Sequence, residues 1–167
     1  PSSAFLRCCD ERGLAVFISL KWASNTDFVS RESHILEALA ADVEALSGEA
    51  AVAGYFIGNE VPSTLVRWIG GVRVRRFLEK AFDRLHQLAP ARLFSYANYP
   101  STEYLQPRNG DFVSFNIYLE ERDAVRRYVR RLHHLADDRP LVISEYGLDS
   151  VRNGEARQAE TLAWLTE

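Results

Sequence analysis

The chain has 167 residues, 47% of them hydrophobic, and a formal net charge of −3. This is enough apolar material for the core of one domain, and the balance of charge gives no reason to expect a nucleic acid as partner. No run approaches the roughly 18 apolar residues of a membrane-spanning helix, so no membrane partner is expected. Cys8 and Cys9 are adjacent. Neighbouring cysteines rarely bond to each other, so no disulfide framework is expected, and a reducing compartment such as the cytoplasm is favoured. The sequence opens on Pro1 without an initiator Met and stops inside a stretch of helical character, 157–167. It reads as a piece of a longer protein, so the absence of a leader says little about destination.

In chain order, residues 4–11 have Phe5, Leu6 and Cys9 at helical spacing, with Gly13 placed to end the helix in a left-handed cap. A continuous apolar run, 14–20, predicts a strand, and 21–26 a loop. Ser30 is the expected cap of a helix reaching about Leu46, with Ile35, Leu36, Leu39 and Val43 as its apolar stripe. A strand follows over 51–58. Residues 63–88 predict a long helical region interrupted near Gly70-Gly71 and stopped by Pro90. Further strands are expected over 92–98, 111–119 and 141–145. At most a short helix lies near 101–106, one helix spans 123–136, and a last one starts near Gly154.

Strands therefore alternate with helices, and the strands read as apolar on both faces, the pattern of a parallel sheet covered on both sides. A doubly wound sheet suits the length, since a full (β/α)8 barrel needs about 250 residues. Against it, no Gly-x-Gly-x-x-Gly or Gly-x4-Gly-Lys loop follows any strand. A barrel truncated at both ends fits equally. At this level both remain open.

Two of the strands end in a glutamate: Ile57-Gly58-Asn59-Glu60 and Ile143-Ser144-Glu145-Tyr146. A carboxylate has no packing role at the end of an apolar strand, because burying it unpaired costs several kcal/mol or forces a proton onto it. In a parallel barrel the C-terminal ends of the strands share one mouth, and two carboxylates there suit glycoside hydrolysis. The plainer alternative is that each glutamate caps the next helix or pairs with an arginine. Trp22 could stack on a sugar or merely pack, Trp68 likewise, and Asn98 ends the third strand where it could line a pocket. The arginine-rich run 126–131 keeps its apolar residues at helical spacing and reads as a solvated outer face. His34, His86, His133 and His134 lack zinc-ligand spacing, and no cofactor is expected.

The ordered set Gly58-Asn59-Glu60, Asn116-Ile117-Tyr118 and Ile143-Ser144-Glu145-Tyr146-Gly147-Leu148-Asp149 resembles the catalytic barrel of the retaining glycoside hydrolases of clan A, most of all glycoside hydrolase family 2. That family includes β-galactosidases, β-glucuronidases and β-mannosidases. The resemblance implies an α/β fold, a partial (β/α)8 TIM barrel comprising strands 3 to 7 of eight, in which residues 1–167 form a single domain. It implies Glu60 as acid/base, Glu145 as nucleophile, Asn59 as donor to the sugar 2-hydroxyl, and Tyr118 as hydrogen-bond partner of Glu145, with Asn116 also on the substrate side. Carboxyl groups about 5 Å apart, as retention requires, are not both charged, so the ionised one helps keep a proton on the other. The expected partners are a carbohydrate substrate and the remaining strands of the barrel. Without those strands the 167-residue piece is expected to turn over little or nothing. The segments 99–105 and 144–150 are also similar to barrel domains attached to bacterial family-2 glycosyltransferases. That likeness implies a non-hydrolytic or transglycosylating accessory role instead.

Overall fold

The structure, a computed structural model, describes residues 1–22 and 30–166. The part of the expected 21–26 loop from residue 23 onward lies outside them. The chain divides into two compact units, Pro1–Asp111 and Phe112–Glu167.

The first unit contains α1 (Ser3–Asp10), β1 (Val16–Ser19), α2 (Glu32–Ala45), β2 (Val52–Asn59), α3 (Ser63–Ile69), α4 (Gly71–Leu88) and β3 (Leu93–Asn98). β2 lies between β1 and β3 and is parallel to both. At Gly54 an added Cβ would collide with the Leu93 carbonyl and the Phe17 ring. Only glycine fits there. The core lies between this sheet and α2 and α4. Val74, Phe77, Leu78, Ala81, Phe82 and Leu85 form the buried stripe of α4, against Val52, Tyr55 and Ile57 of β2 and Leu39 and Val43 of α2. These positions recur every three or four residues, so one helical face is apolar and the arginines of α4 are left to the other.

The break expected near Gly70-Gly71 falls at Gly70, whose φ of 96° is a conformation other residues reach only with strain. The expected cap at Ser30 is displaced. α2 starts at Glu32, its N-cap is Arg31, and the first helical bond runs from the Ile35 N–H to the Arg31 carbonyl.

The second unit contains β4 (Val113–Ile117), α5 (Arg122–Ala136), β5 (Leu141–Tyr146), α6 (Ser150–Asn153) and α7 (Glu155–Leu165), with β4 and β5 parallel. Val113, Phe115 and Ile117 pack with Leu132 and Ala136 of α5. Their neighbours Ser114 and Asn116 are equally buried. β4 is thus apolar on one face and polar on the other, which corrects the expectation of strands apolar on both. A buried polar face needs hydrogen-bond partners, and the residues that supply them lie on β5. Among the described residues, no helix is long and apolar enough to cross a membrane.

Candidate active site

At the end of β2 the register slips. Phe56 is opposite Ser95 and Asn59 is opposite Ala97, so β2 spends three residues where β3 spends two. A bulge of this kind bends the strand and re-aims the side chains beyond it. Gly58 sits at the slip, beneath the Trp22 ring, where an added Cβ would lie 3.2 Å from the indole. Asn59 is exposed and Glu60 half-buried. Glu60 has φ 45°, the left-handed region, at a cost of roughly 1–3 kcal/mol. The backbone around it is held from β3 and the residue following it. The N–H of Glu60 donates to the Ala97 carbonyl (2.9 Å), that of Val61 to the Tyr96 hydroxyl (3.0 Å) and that of Ser63 to the Tyr99 hydroxyl (3.0 Å). Three such bonds at roughly 1 kcal/mol each offset the strain. Burial raises the Tyr96 phenol above its ordinary range, so it remains a neutral hydroxyl.

Asn98 and Trp22, the two other pocket candidates of this unit, are committed to the protein. The Asn98 amide donates to the carbonyls of Thr102 (3.1 Å) and Leu105 (2.9 Å), and its oxygen accepts from the Tyr99 N–H (2.9 Å) and the Thr102 hydroxyl (2.7 Å). It organises the loop around the single 3-10 turn Pro100–Thr102 and has no proton left for a sugar. Trp22 is 7% exposed, donates its N–H to the Ile57 carbonyl and meets Phe77 edge-on with centroids 4.8 Å apart. Burial gives it a packing role under the end of β2. Trp68, by contrast, is 87% exposed.

The end of β5 repeats the bulge by other means. Phe115 is opposite Ile143 but Asn116 is opposite Glu145, so Ser144 is the extra residue. The slip brings Glu145 opposite a member of the polar face of β4. The Ser114 hydroxyl donates to Ser144 Oγ (2.7 Å), and Ser144 donates to Asn116 Oδ1 (2.6 Å). Asn116 is buried and supports the bulge from below. The Tyr118 hydroxyl donates to Glu145 Oε2 at 2.7 Å, a phenol–carboxylate bond that orients the carboxyl group. Tyr118 is 58% exposed, so the pair is accessible.

Of the residues singled out in the sequence, the first unit carries Asn59 and Glu60 at the end of β2, and the second brings Tyr118, Asn116 and Glu145 together. Tyr96, Tyr99, Ser114 and Ser144 were not foreseen. For Tyr96, Ser114 and Ser144 the signal is a tyrosine or serine where a strand would otherwise carry an aliphatic residue; Tyr99 follows β3 and carries no such signal. Glu120, in the loop before α5, lies 3.6 Å from Arg152 on the surface. Among the described residues, no three His, Cys, Asp or Glu side chains are grouped to hold a metal ion.

No protein-family profile and no curated protein matches the chain. Solved structures do. A β-glucuronidase from Bacteroides uniformis matches 98% of the chain with a TM-score of 0.81 at 14% identity. An FMN-binding β-glucuronidase from Facaelibacterium prausnitzii matches 98% with a TM-score of 0.78 at 22% identity. A GH2 β-galacturonidase from Eisenbergiella tayi, bound to galacturonate, matches 86% with a TM-score of 0.63 at 20% identity. The chain spans 23%, 28% and 27% of those three proteins respectively. At such identities the likeness is one of fold. The chain is an α/β protein with the fold of part of these family-2 glycosidases, the partial barrel expected from its motifs.

Proposed function

We propose that the chain is part of the catalytic domain of a retaining β-glycosidase, which cleaves an O-glycosidic bond by double displacement. The observation that carries this reading is the accessible Tyr118–Glu145 pair, set beyond a bulge on a polar strand face. The left-handed Glu60 at the end of β2 supports it. Backbone strain concentrates where a side chain must be aimed, and nothing in the packing of β2 calls for a glutamate there.

In this reading Glu145 attacks the anomeric carbon while Glu60 gives its proton to the departing glycosidic oxygen. The product is a glycosyl ester on Glu145. Glu60, now a carboxylate, takes a proton from water, whose oxygen attacks the same carbon and releases Glu145. Asn59, exposed beside Glu60, donates to the sugar 2-hydroxyl, and Tyr118 keeps one Glu145 oxygen engaged so that the carboxylate stays oriented for attack. The barrel is completed by strands from outside these 167 residues, and residues 1–167 alone turn over little. The two free cysteines, Cys8 and Cys9, fit a reducing compartment such as the cytoplasm.

Covalent trapping tests the proposal. Incubation of the intact protein with 2-fluoro-glycosides, uronides first because the similar structures include a β-glucuronidase and a β-galacturonidase, should leave a glycosyl adduct on the peptide containing Glu145. Binding of saccharide without any adduct would instead place the chain among non-hydrolytic barrel domains.

A further inference from the structure

Resting on the reading of Glu60 as the acid/base, we propose that Tyr96 and Tyr99 are positioning residues that hold the Glu60 carboxyl in place through its backbone. Pro62 has no N–H, so Glu60, Val61 and Ser63 are the donors of the segment 60–63, and all three bond to residues of one short stretch, 96–99. Among the described residues, α3 has no side-chain cap from its own N-terminus. A helix start without one leaves its first N–H groups in need of acceptors, and here the Tyr99 hydroxyl serves at Ser63. The backbone carbonyl of Ala97 reaches Glu60, but Val61 and Ser63, further along the chain, need an acceptor on a longer arm, which a tyrosine provides.

The arrangement acts on the glutamate because φ at Glu60 sets the direction of its side chain. Left-handed backbone is held only while the surroundings over-determine it. If the bonds at Val61 and Ser63 are lost, the segment can relax toward the right-handed region and the carboxyl turns away from its line of proton delivery. The Tyr96 hydroxyl is also hydrogen-bonded to the Thr102 side chain, and Thr102 in turn to Asn98. The loop after β3 is thereby tied to the same glutamate.

The test is the leaving-group dependence of kcat/KM, measured in the intact protein on aryl glycosides, because this parameter reports the step in which Glu60 donates a proton. With Tyr96→Phe, kcat/KM should fall roughly 10- to 100-fold for poor leaving groups and change little for good ones, which need no acid. Tyr99→Phe should give the same pattern more weakly, and it decides the question if Tyr96→Phe does not fold. An equal loss across all leaving groups, or no loss, would overturn the proposal. Glu60→Ala is the control on the underlying reading. If it too shows no leaving-group dependence, Glu60 is not the acid and the reading of the site fails, whatever the tyrosines do.

Discussion

The end of β2 and the end of β5 solve one problem in two ways. Each must hold a glutamate at the end of a strand, and each does so after a bulge. At β2 the main chain is restrained: Glu60 is left-handed, and the N–H groups at 60, 61 and 63 are bonded to Ala97, Tyr96 and Tyr99. At β5 the carboxyl group itself is gripped, by the exposed Tyr118 hydroxyl, over a ladder of Ser114, Ser144 and Asn116. The contrast matches the two proposed roles. An acid/base must deliver and recover a proton along one line, which a fixed main chain secures. A nucleophile needs a fixed, charged oxygen, which a donor favours.

The contrast can be broken most directly at Glu145. Glu145→Gln keeps shape and removes the nucleophile, and turnover of aryl glycosides should fall by about 10⁴-fold or more. Residual activity within tenfold of the native rate would remove Glu145 from the mechanism. Tyr118→Phe should lower kcat by roughly 10- to 100-fold, the loss of one hydrogen bond to a charged group. Because Tyr118 is exposed, the denaturation midpoint should hardly move.

Tyr96→Phe should behave in the opposite sense for stability. It strands the N–H of Val61, a residue 1% exposed, at a cost of roughly 1–3 kcal/mol in urea unfolding. If Tyr118→Phe destabilises as much as Tyr96→Phe, the distinction between a grip on the side chain and a clamp on the main chain is lost. Glu60→Gly should lose kcat/KM on glycosides with poor leaving groups yet be more stable than the native chain by about 1 kcal/mol, since glycine adopts left-handed backbone freely.

The smallest effect is in alkali. Burial raises the Tyr96 phenol, and burial raises that of Tyr55 as well. The unfolded chain loses these protons near the usual value of about 10, whereas the folded chain keeps them. The stabilisation is therefore whole below about pH 10 and declines as pH rises beyond it. Urea midpoints measured across that range should show a steeper decline for the native chain than for Tyr96→Phe.

The glutamates were legible in the sequence because a carboxylate ending an apolar run has no packing reason to be there. The stripe of α4 was legible from helical spacing alone, and the break at Gly70 from the glycine pair. The bulges were not, because a bulge is a count of residues on two strands and leaves no mark in the periodicity of either. Nor was the clamp. Tyr96 reads as one more aromatic in a buried strand until Pro62 and the start of α3 show which N–H groups need an acceptor. Asn98 was misplaced for a related reason. Its position at a strand end matched that of a pocket residue, but its hydrogen bonds are all spent on its own loop.

That saturation bears on how the molecule could diversify. An aspartate at 98 would turn acceptors toward the carbonyls of Thr102 and Leu105, and a glutamine would overshoot them, so even near-isosteres are penalised unless the neighbouring loop is rewritten together with them. Directed evolution of this chain should leave position 98 untouched.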